Sequence, residues 1–283
     1  MRLPFFLASR FVAGETLKDT LPVVRGLNDD GLRVALDLLG EHVTDRNVAE
    51  RATDTYVDLV RTIADDRYDV NISIKLSMMG QQIDEDFCAE NLRRLLEVAR
   101  SRDVFVRLDM EGSDTTASTL RLFERVYPDY PDHVGPVLQA MLHRTERDVE
   151  RMCELGASVR ICKGAYDEPS SLAAQDMSTI RERFAAHMRR LLADAGHTGV
   201  ATHDDGLIAA AQSFAREHDL GAGDFEFQML YGMRPETQRA MAAKGHPMRV
   251  YVPYGTEWLP YYTRRLTERK ENIWFVLKNL FRR

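Results

Sequence analysis

Cysteine is scarce and badly spaced for pairing. Cys88, Cys153 and Cys162 are the only three, an odd number with no CxxC among them. That pattern excludes a disulfide framework and the usual zinc ribbons, and it fits a reducing cytosol. Long apolar runs are missing too: no stretch of about 18 hydrophobic residues occurs, so no transmembrane helix is expected. The apolar start, LPFFLASRFVAG, is broken by Arg10 and followed by no small-residue cleavage site. It reads as a packing segment, not as a signal peptide. Basic excess is absent as well, with 38 Lys and Arg against 44 Asp and Glu and a formal net charge of -6. A nucleic-acid binder needs the opposite field to neutralise phosphates. Metal-ligand spacing is lacking: the eight histidines form no HxH or HExxH, so no metal site is expected. No interior linker rich in Pro, Gly and Ser divides the chain.

What is present is a regular alternation. The 283 residues, 44% hydrophobic and 29% charged, have the composition of an ordinary soluble globular protein. An α/β barrel reaches about 250 residues as one unit, so the length does not require two domains. Eight short runs read as buried strands: RVALDLL (33–39), NISIKLS (71–77), VFVRLDM (104–110), VGPVLQA (134–140), ASVRICK (157–163), GVATH (199–203), FEFQML (225–230) and RVYVP (249–253). Helix-period segments such as VAERATDTYVDLVRTI, CAENLRRLLEVARSR, TERDVERMCELG, RERFAAHMRRLLADAG and LIAAAQSFAREHDL lie between them. Alternating strands and helices imply parallel pairing with right-handed crossovers, and eight units favour a closed barrel. An open doubly wound sheet would put GxGxxG after the first strand. That strand ends LLGEHVTD, and GAGDF at 221–225 precedes a strand, not a helix.

In such a barrel the chemistry sits where strands end, so the polar residues there carry the information. Strand two ends with Lys75, strand three with Arg107 and Asp109, strand four with Gln139, and strand five with Arg160 and Lys163. Strand six ends Thr202, His203, Asp204, and strand seven reaches Gln228. Singly, a lysine or arginine at a strand end is more often a solvated or salt-bridged side chain than a catalytic one, and a lone histidine such as His203 more often a structural donor; the convergence is the signal. Lys75, Arg160, Lys163, Arg264 and Arg265 around one mouth imply an anionic ligand, and two adjacent arginines suit a small carboxylate. The residues alone leave open a Schiff-base lyase or aldolase acting on a small carboxylate through Lys75 or Lys163, because a buried lysine among cations can become a neutral nucleophile.

YYTRRLTER (261–269) sets Tyr261, Arg264, Arg265 and Glu268 on one helical face, with Leu259, Tyr262, Leu266 and Ile273 on an apolar face able to pack on the barrel. The plain reading is a surface helix whose Arg264 and Glu268 form an i,i+4 pair worth about 0.3–0.5 kcal/mol. The other reading is that the polar stripe holds a ligand over the mouth.

Several segments together resemble the flavin-dependent proline dehydrogenases: FVAGETL, SIKLS, VRLDMEGS, VRICKGAY, ATHD, FEFQMLYGM and YVPYGTEWLPYYTRRLTER, in that family's order and spanning nearly the whole chain. The YxxRRxxE pattern after KGAY is the most specific part. The resemblance implies an α/β fold, a distorted (βα)8 TIM-like barrel, with a short N-terminal helical arm (1–30), the barrel (31–283) and a final helix over the carboxyl ends of the strands. It implies oxidation of L-proline to 1-pyrroline-5-carboxylate, with hydride passing from C5 to N5 of FAD and the electrons going on to a quinone. It also implies residue roles. Arg264, Arg265 and Lys75 would hold the substrate carboxylate, and Glu268, Tyr251, Tyr261 and Leu230 would complete the pocket around the ring. Asp109 and Arg160 would be catalytic, with Arg160 against the flavin. Met110, Gln139, Lys163, Gly164, Ala165, Thr202 and His203 would contact FAD.

These roles suit the residue types. A cation at Arg160 favours the negative charge that a flavin gains on reduction, and Gly164 permits close backbone approach, or a simple turn after strand five. The proton acceptor for the amine stays open between water and Asp109. No further domain for the product is visible in the sequence, so a monofunctional protein working beside a separate 1-pyrroline-5-carboxylate dehydrogenase is expected. The C-terminal ENIWFVLKNLFRR reads as a core-covering helix or, more sharply, as a weak membrane-surface contact suited to a quinone acceptor at the inner face of the membrane.

Overall fold

The computed structural model describes residues 5–267. Glu268, Ile273 and the ENIWFVLKNLFRR segment lie outside the described residues. Eight strands, β1 Arg33–Leu38, β2 Val70–Ile74, β3 Val106–Leu108, β4 Val134–Gln139, β5 Val159–Cys162, β6 Thr198–Ala201, β7 Phe225–Leu230 and β8 Met248–Tyr254, pair in sequence order. Every pairing is parallel, and β8 closes on β1 with Arg33 opposite Arg249 and Asp37 opposite Pro253. The expected α/β barrel is therefore present.

Helix α1 (Leu17–Asp29) precedes β1. Seven helices follow β1 to β7 in turn: α2 (Arg46–Asp65), α3 (Glu85–Ser101), α4 (Ser113–Val126), α5 (Thr145–Leu155), α6 (Met177–Asp194), α7 (Asp205–Glu217) and α8 (Pro235–Ala243), while α9 (Trp258–Thr267) follows β8. Their starts are written in the sequence. Asp45, Asp84, Asp176 and Asp204 each accept a hydrogen bond from a backbone N–H in the first turn, satisfying donors that have no partner within the helix.

The strands sort their side chains by parity, since successive residues point to opposite faces. One set, including Val34, Leu36, Ile72, Ile74, Val106, Leu108, Phe227, Val250 and Val252, is buried in the main core with Tyr56, Leu92, Phe123 and Phe184 from the surrounding helices. The other set points into the barrel, where branched apolar side chains usually predominate. Here the lumen holds Ser73, Arg107, Arg160, Glu226, Gln228 and Arg249, all buried. Bonds from Arg160 on β5 to Ser73 on β2 and Gln228 on β7 cross the interior directly.

A second apolar cluster sits over the carboxyl ends of the strands. Leu7, Ala8, Phe11 and Val12 of the N-terminal arm pack with Leu39, Met233, Trp258, Tyr261 and Tyr262, and Leu230 and Tyr251 pack against its edge. This cluster fastens α9 above the barrel mouth. The apolar face expected for α9 is corrected in one respect. Leu259 is 44% exposed, whereas Trp258, Tyr261, Tyr262 and Arg265 are buried. Those four share one i, i+3, i+4, i+7 stripe, and one further residue along the helix turns the side chain about 100° away from it. The packing stripe and the cationic stripe thus overlap at Tyr261 and Arg265.

Candidate active site

Lys75 and Asp109, directly after β2 and β3, meet inward residues of β1, β5 and β8 at the mouth. Lys75 Nζ lies 2.7 Å from Asp37 Oδ1, and both side chains are buried. Burial raises the Asp37 carboxyl to about 6, against the lowering influence of the Lys75 ammonium. Burial alone would lower the Lys75 pKa, but the Asp37 and Asp109 carboxylates outweigh it and raise it. Lys75 is therefore a held ammonium, not a neutral amine, which removes it as the nucleophile of a Schiff-base mechanism. Lys163, the other lysine weighed for that role, is ion-paired with Asp204 at 2.8 Å.

Asp109 joins the neighbouring strands. Its Oδ1 accepts from Arg160 at 2.7 Å and its Oδ2 from the Tyr251 hydroxyl at 2.7 Å. The Arg160 guanidinium lies over the Tyr251 ring, 5.4 Å from its centroid. Burial, with Asp109 adding to it, pushes the Tyr251 phenol well above its ordinary value, so Oη stays protonated and remains a donor. Arg107, grouped by sequence with the residues at the mouth, lies elsewhere. It bonds to the Ser158 carbonyl at 2.7 Å, below β5, and to the Ser158 hydroxyl at 3.0 Å. Deep burial with Arg160 nearby lowers its pKa to about 9.

Above this floor, Arg264 of α9 donates to Glu41, in the β1–α2 connection, at 2.9 Å, and its guanidinium sits 5.9 Å from the Tyr166 ring centroid. Arg265 is buried over the Tyr261 ring, 5.2 Å from its centroid. Burial raises the Tyr166 phenol, which also lies within electrostatic reach of Glu41, Lys75, Glu111 and Arg264. Tyr166 therefore lies near both the Lys75 floor and Arg264 of α9.

The remaining candidates line the β3 to β7 side. Met110 is buried. Gln139 donates to the Glu111 carbonyl at 2.9 Å and accepts from Ala165 N at 3.4 Å. Gly164 has φ 113°, a backbone angle that favours glycine, and a Cβ there would meet the flexible Met141 side chain. His203 Nε2 accepts from Leu230 N at 3.0 Å, and Thr202 Oγ1 accepts from Asp204 N at 3.1 Å.

This donor set fits a flavin nucleotide. Arg160 and Lys163 would be cations available to a ring system that gains negative charge and to a diphosphate, and Gln139 with the backbone of residues 163–165 would offer amide groups. Sequence reasoning missed Asp37, Glu41 and Tyr166. The first lies inside an apolar-looking strand, and the other two lie in loops whose path over the mouth no local pattern reveals. Among the described residues, no group of three or more His, Cys, Asp or Glu could hold a metal ion. No described helix is long and apolar enough to cross a membrane.

The closed barrel and its polar mouth under a capping helix define an α/β-barrel enzyme. A family model described as proline dehydrogenase matches residues 20–278, and the chain belongs to that family. It is 38% identical to proline dehydrogenase 2 of Bacillus subtilis (strain 168), over 96% of this chain and 90% of that protein. It is 35% identical to the proline dehydrogenase of Deinococcus radiodurans, over 98% of this chain and 90% of that one. Among solved structures it superposes on proline utilization A (PutA) from Bdellovibrio bacteriovorus, inactivated by N-propargylglycine, with a TM-score of 0.87 and 24% identity. That match covers 93% of this chain but only 33% of PutA, and at such identity it speaks to the fold alone.

Proposed function

We propose that this protein oxidises L-proline to 1-pyrroline-5-carboxylate, the first step of proline catabolism, with non-covalently bound FAD as hydride acceptor and a quinone as final electron acceptor. Residues 1–30 serve as the arm and residues 31–283 as the barrel of one catalytic domain, and a separate 1-pyrroline-5-carboxylate dehydrogenase consumes the product. The observation that carries this reading is the gathering of Lys75, Asp109, Arg160 and Tyr251 at the strand ends beneath Arg264 and Arg265, in a chain belonging to the proline dehydrogenase family.

Within it, Arg264 and Arg265 grip the substrate carboxylate, and Lys75 adds a third cation whose charge Asp37 secures. Leu230, Tyr251 and Tyr261 enclose the ring and exclude water, and the family resemblance assigns Glu268, outside the described residues, to the same pocket. Arg160, Met110, Gln139, Lys163, Gly164, Ala165, Thr202 and His203 hold the flavin, which when bound supplies the two-electron hydride acceptor. The Tyr251 proton stays on Oη, directed at Asp109 Oδ2, so Asp109 accepts from Tyr251 on one oxygen and from Arg160 on the other. Orientation is the main contribution of the clamp, because misplacing the reacting carbon by about 1 Å costs roughly 100-fold in rate. The purified protein is expected to be yellow and its visible flavin band to bleach when proline is added. A colourless protein that takes up no FAD refutes the proposal.

A further inference from the structure

Gln228 was singled out by sequence only as the polar end of strand seven, and none of the roles above uses it. In the barrel it lies between two charged groups. Its Oε1 accepts from Arg160 Nε at 2.5 Å, and its Nε2 donates to Glu226 Oε1 at 2.7 Å. Glu226, two residues earlier on the same strand and therefore on the same face, accepts from Arg249 Nε at 2.6 Å and lies 3.3 Å from Arg33 Nη1. A carboxylate can only accept, so Glu226 forces the amide nitrogen of Gln228 downward and leaves its oxygen facing Arg160. Room for this amide comes from β6: a Cβ on Gly199 would lie 2.6 Å from Gln228 Nε2 and 3.1 Å from its Cδ. Glu226 and Gln228 are 1% and 4% exposed, so water cannot replace either bond.

Arg160 is then held on three edges. Nε goes to Gln228, one terminal nitrogen to Asp109 and the other to Ser73 Oγ at 3.1 Å. Three bonds, from β2, β7 and the residue after β3, fix the plane of a guanidinium that carries otherwise mobile torsions.

We propose that Gln228, braced by Glu226 and accommodated by Gly199, is a positioning residue that fixes the Arg160 guanidinium for the reaction. The inference rests on the functional reading above, in which Arg160 faces the flavin. The neutral amide also matters. It gives Arg160 an acceptor without a second full negative charge beside it, while the Glu226 charge is taken up lower in the barrel by Arg249 and Arg33. The strand thus separates two tasks: charge balance at Glu226 and aim at Gln228.

Two variants test this. Gln228→Met keeps the approximate volume and removes both bonds. It is expected to lower kcat by about 10- to 100-fold with the KM for proline changed less than about 3-fold, and to shift the midpoint potential of the bound flavin. The exchanged pair Glu226→Gln/Gln228→Glu keeps net charge and an acceptor for Arg160 at position 228, but it reverses the bond between positions 226 and 228 and leaves Arg249 and Arg33 only the single amide oxygen now at position 226. It should recover kcat to within about 5-fold of wild type while lowering the midpoint potential, because the negative charge now abuts Arg160. Unchanged kcat and potential in Gln228→Met overturn the proposal. If that variant does not fold, an unchanged potential in the exchanged pair overturns it. A third readout needs no flavin: in the apo-protein the Arg160 Nε–H is expected to exchange about 10-fold faster in Gln228→Met, and equal exchange overturns the bracing. Failure of the functional reading shows differently, as a wild-type protein without proline turnover.

Discussion

Asp37 and Lys75 form a buried ion pair through which the proposed substrate binding would depend on pH. Asp37 faces Lys75, Asp109, Tyr251, Tyr56 and Tyr254, and burial leaves it titrating at about 6. Below that pH it takes up a proton, Lys75 loses its counter-charge, and the cation is no longer held for a carboxylate. The kcat/KM for proline is therefore expected to fall on the acid side with a midpoint near 6, and Asp37→Asn should erase that limb. The same limb in the Asn variant would assign it elsewhere. Arg264 gives a complementary expectation. Arg264→Met should raise the KM for proline by about 100-fold, the loss of roughly 2–3 kcal/mol from a charge-assisted bond, with flavin content unchanged. An unaltered KM measured at saturating FAD would remove Arg264 from the clamp. Lys75, Asp109, Arg160 and the two arginines were legible because they combine a charged side chain with a strand end or a distinctive doublet. Asp37 was not, because the RVALDLL run reads as continuous apolar strand, and only the lumen distinguishes its inward residues from its outward ones.

The elements were the most readable part. Each strand expected from periodicity is present within a few residues of its expected ends, and α2, α3, α5, α6 and α7 enclose or nearly match their helix-period segments. What periodicity misjudged was rotation and height. Leu259 faces outward because the aromatic stripe of α9 sets the angle of the helix, and Arg107 lies below the mouth because it is the inward position two residues before Asp109, with its guanidinium turned to Ser158. The N-terminal arm illustrates a dependence that sequence could not supply. Gly232, in the turn after β7, has φ 75°, and a Cβ there would lie 1.8 Å from the Arg10 carbonyl oxygen. Backbone against backbone cannot yield, so Gly232→Ala should lift the arm from the cluster that also seats Trp258, Tyr261 and Tyr262. The expected result is earlier proteolytic cleavage in residues 5–12, a lower Tm and a several-fold higher KM for proline, with kcat at saturation largely kept. Unchanged protease resistance would show that the arm does not depend on this contact.

Taken across the whole barrel, charge in the lumen couples stability to the site. Burying ions is costly unless each is paired and hydrogen-bonded, and here Glu226 meets that requirement with Arg249, Arg33 and Gln228. Its burial alone would raise its pKa, yet Arg249 and His197 outweigh that and hold it at about 2. The unfolded chain titrates Glu226 near its ordinary value, so this depressed group stabilises the fold at pH values above about 4.5, and the contribution fades as pH falls toward 2. Asp37 acts with opposite sign: raised from 3.8 to about 6, it contributes stability below pH 3.8 that is lost as pH rises through 6. Comparing a variant with wild type at each pH cancels Asp37 and isolates Glu226. Glu226→Gln should cost roughly 3–5 kcal/mol at pH 7, where it strands the Arg249 guanidinium, and the difference should shrink steadily below pH 4.5. Urea unfolding at pH 7, 5, 4 and 3 measures it directly. A penalty that stays constant down to pH 3 would mean that lost packing, not charge, explains why the barrel carries a carboxylate there.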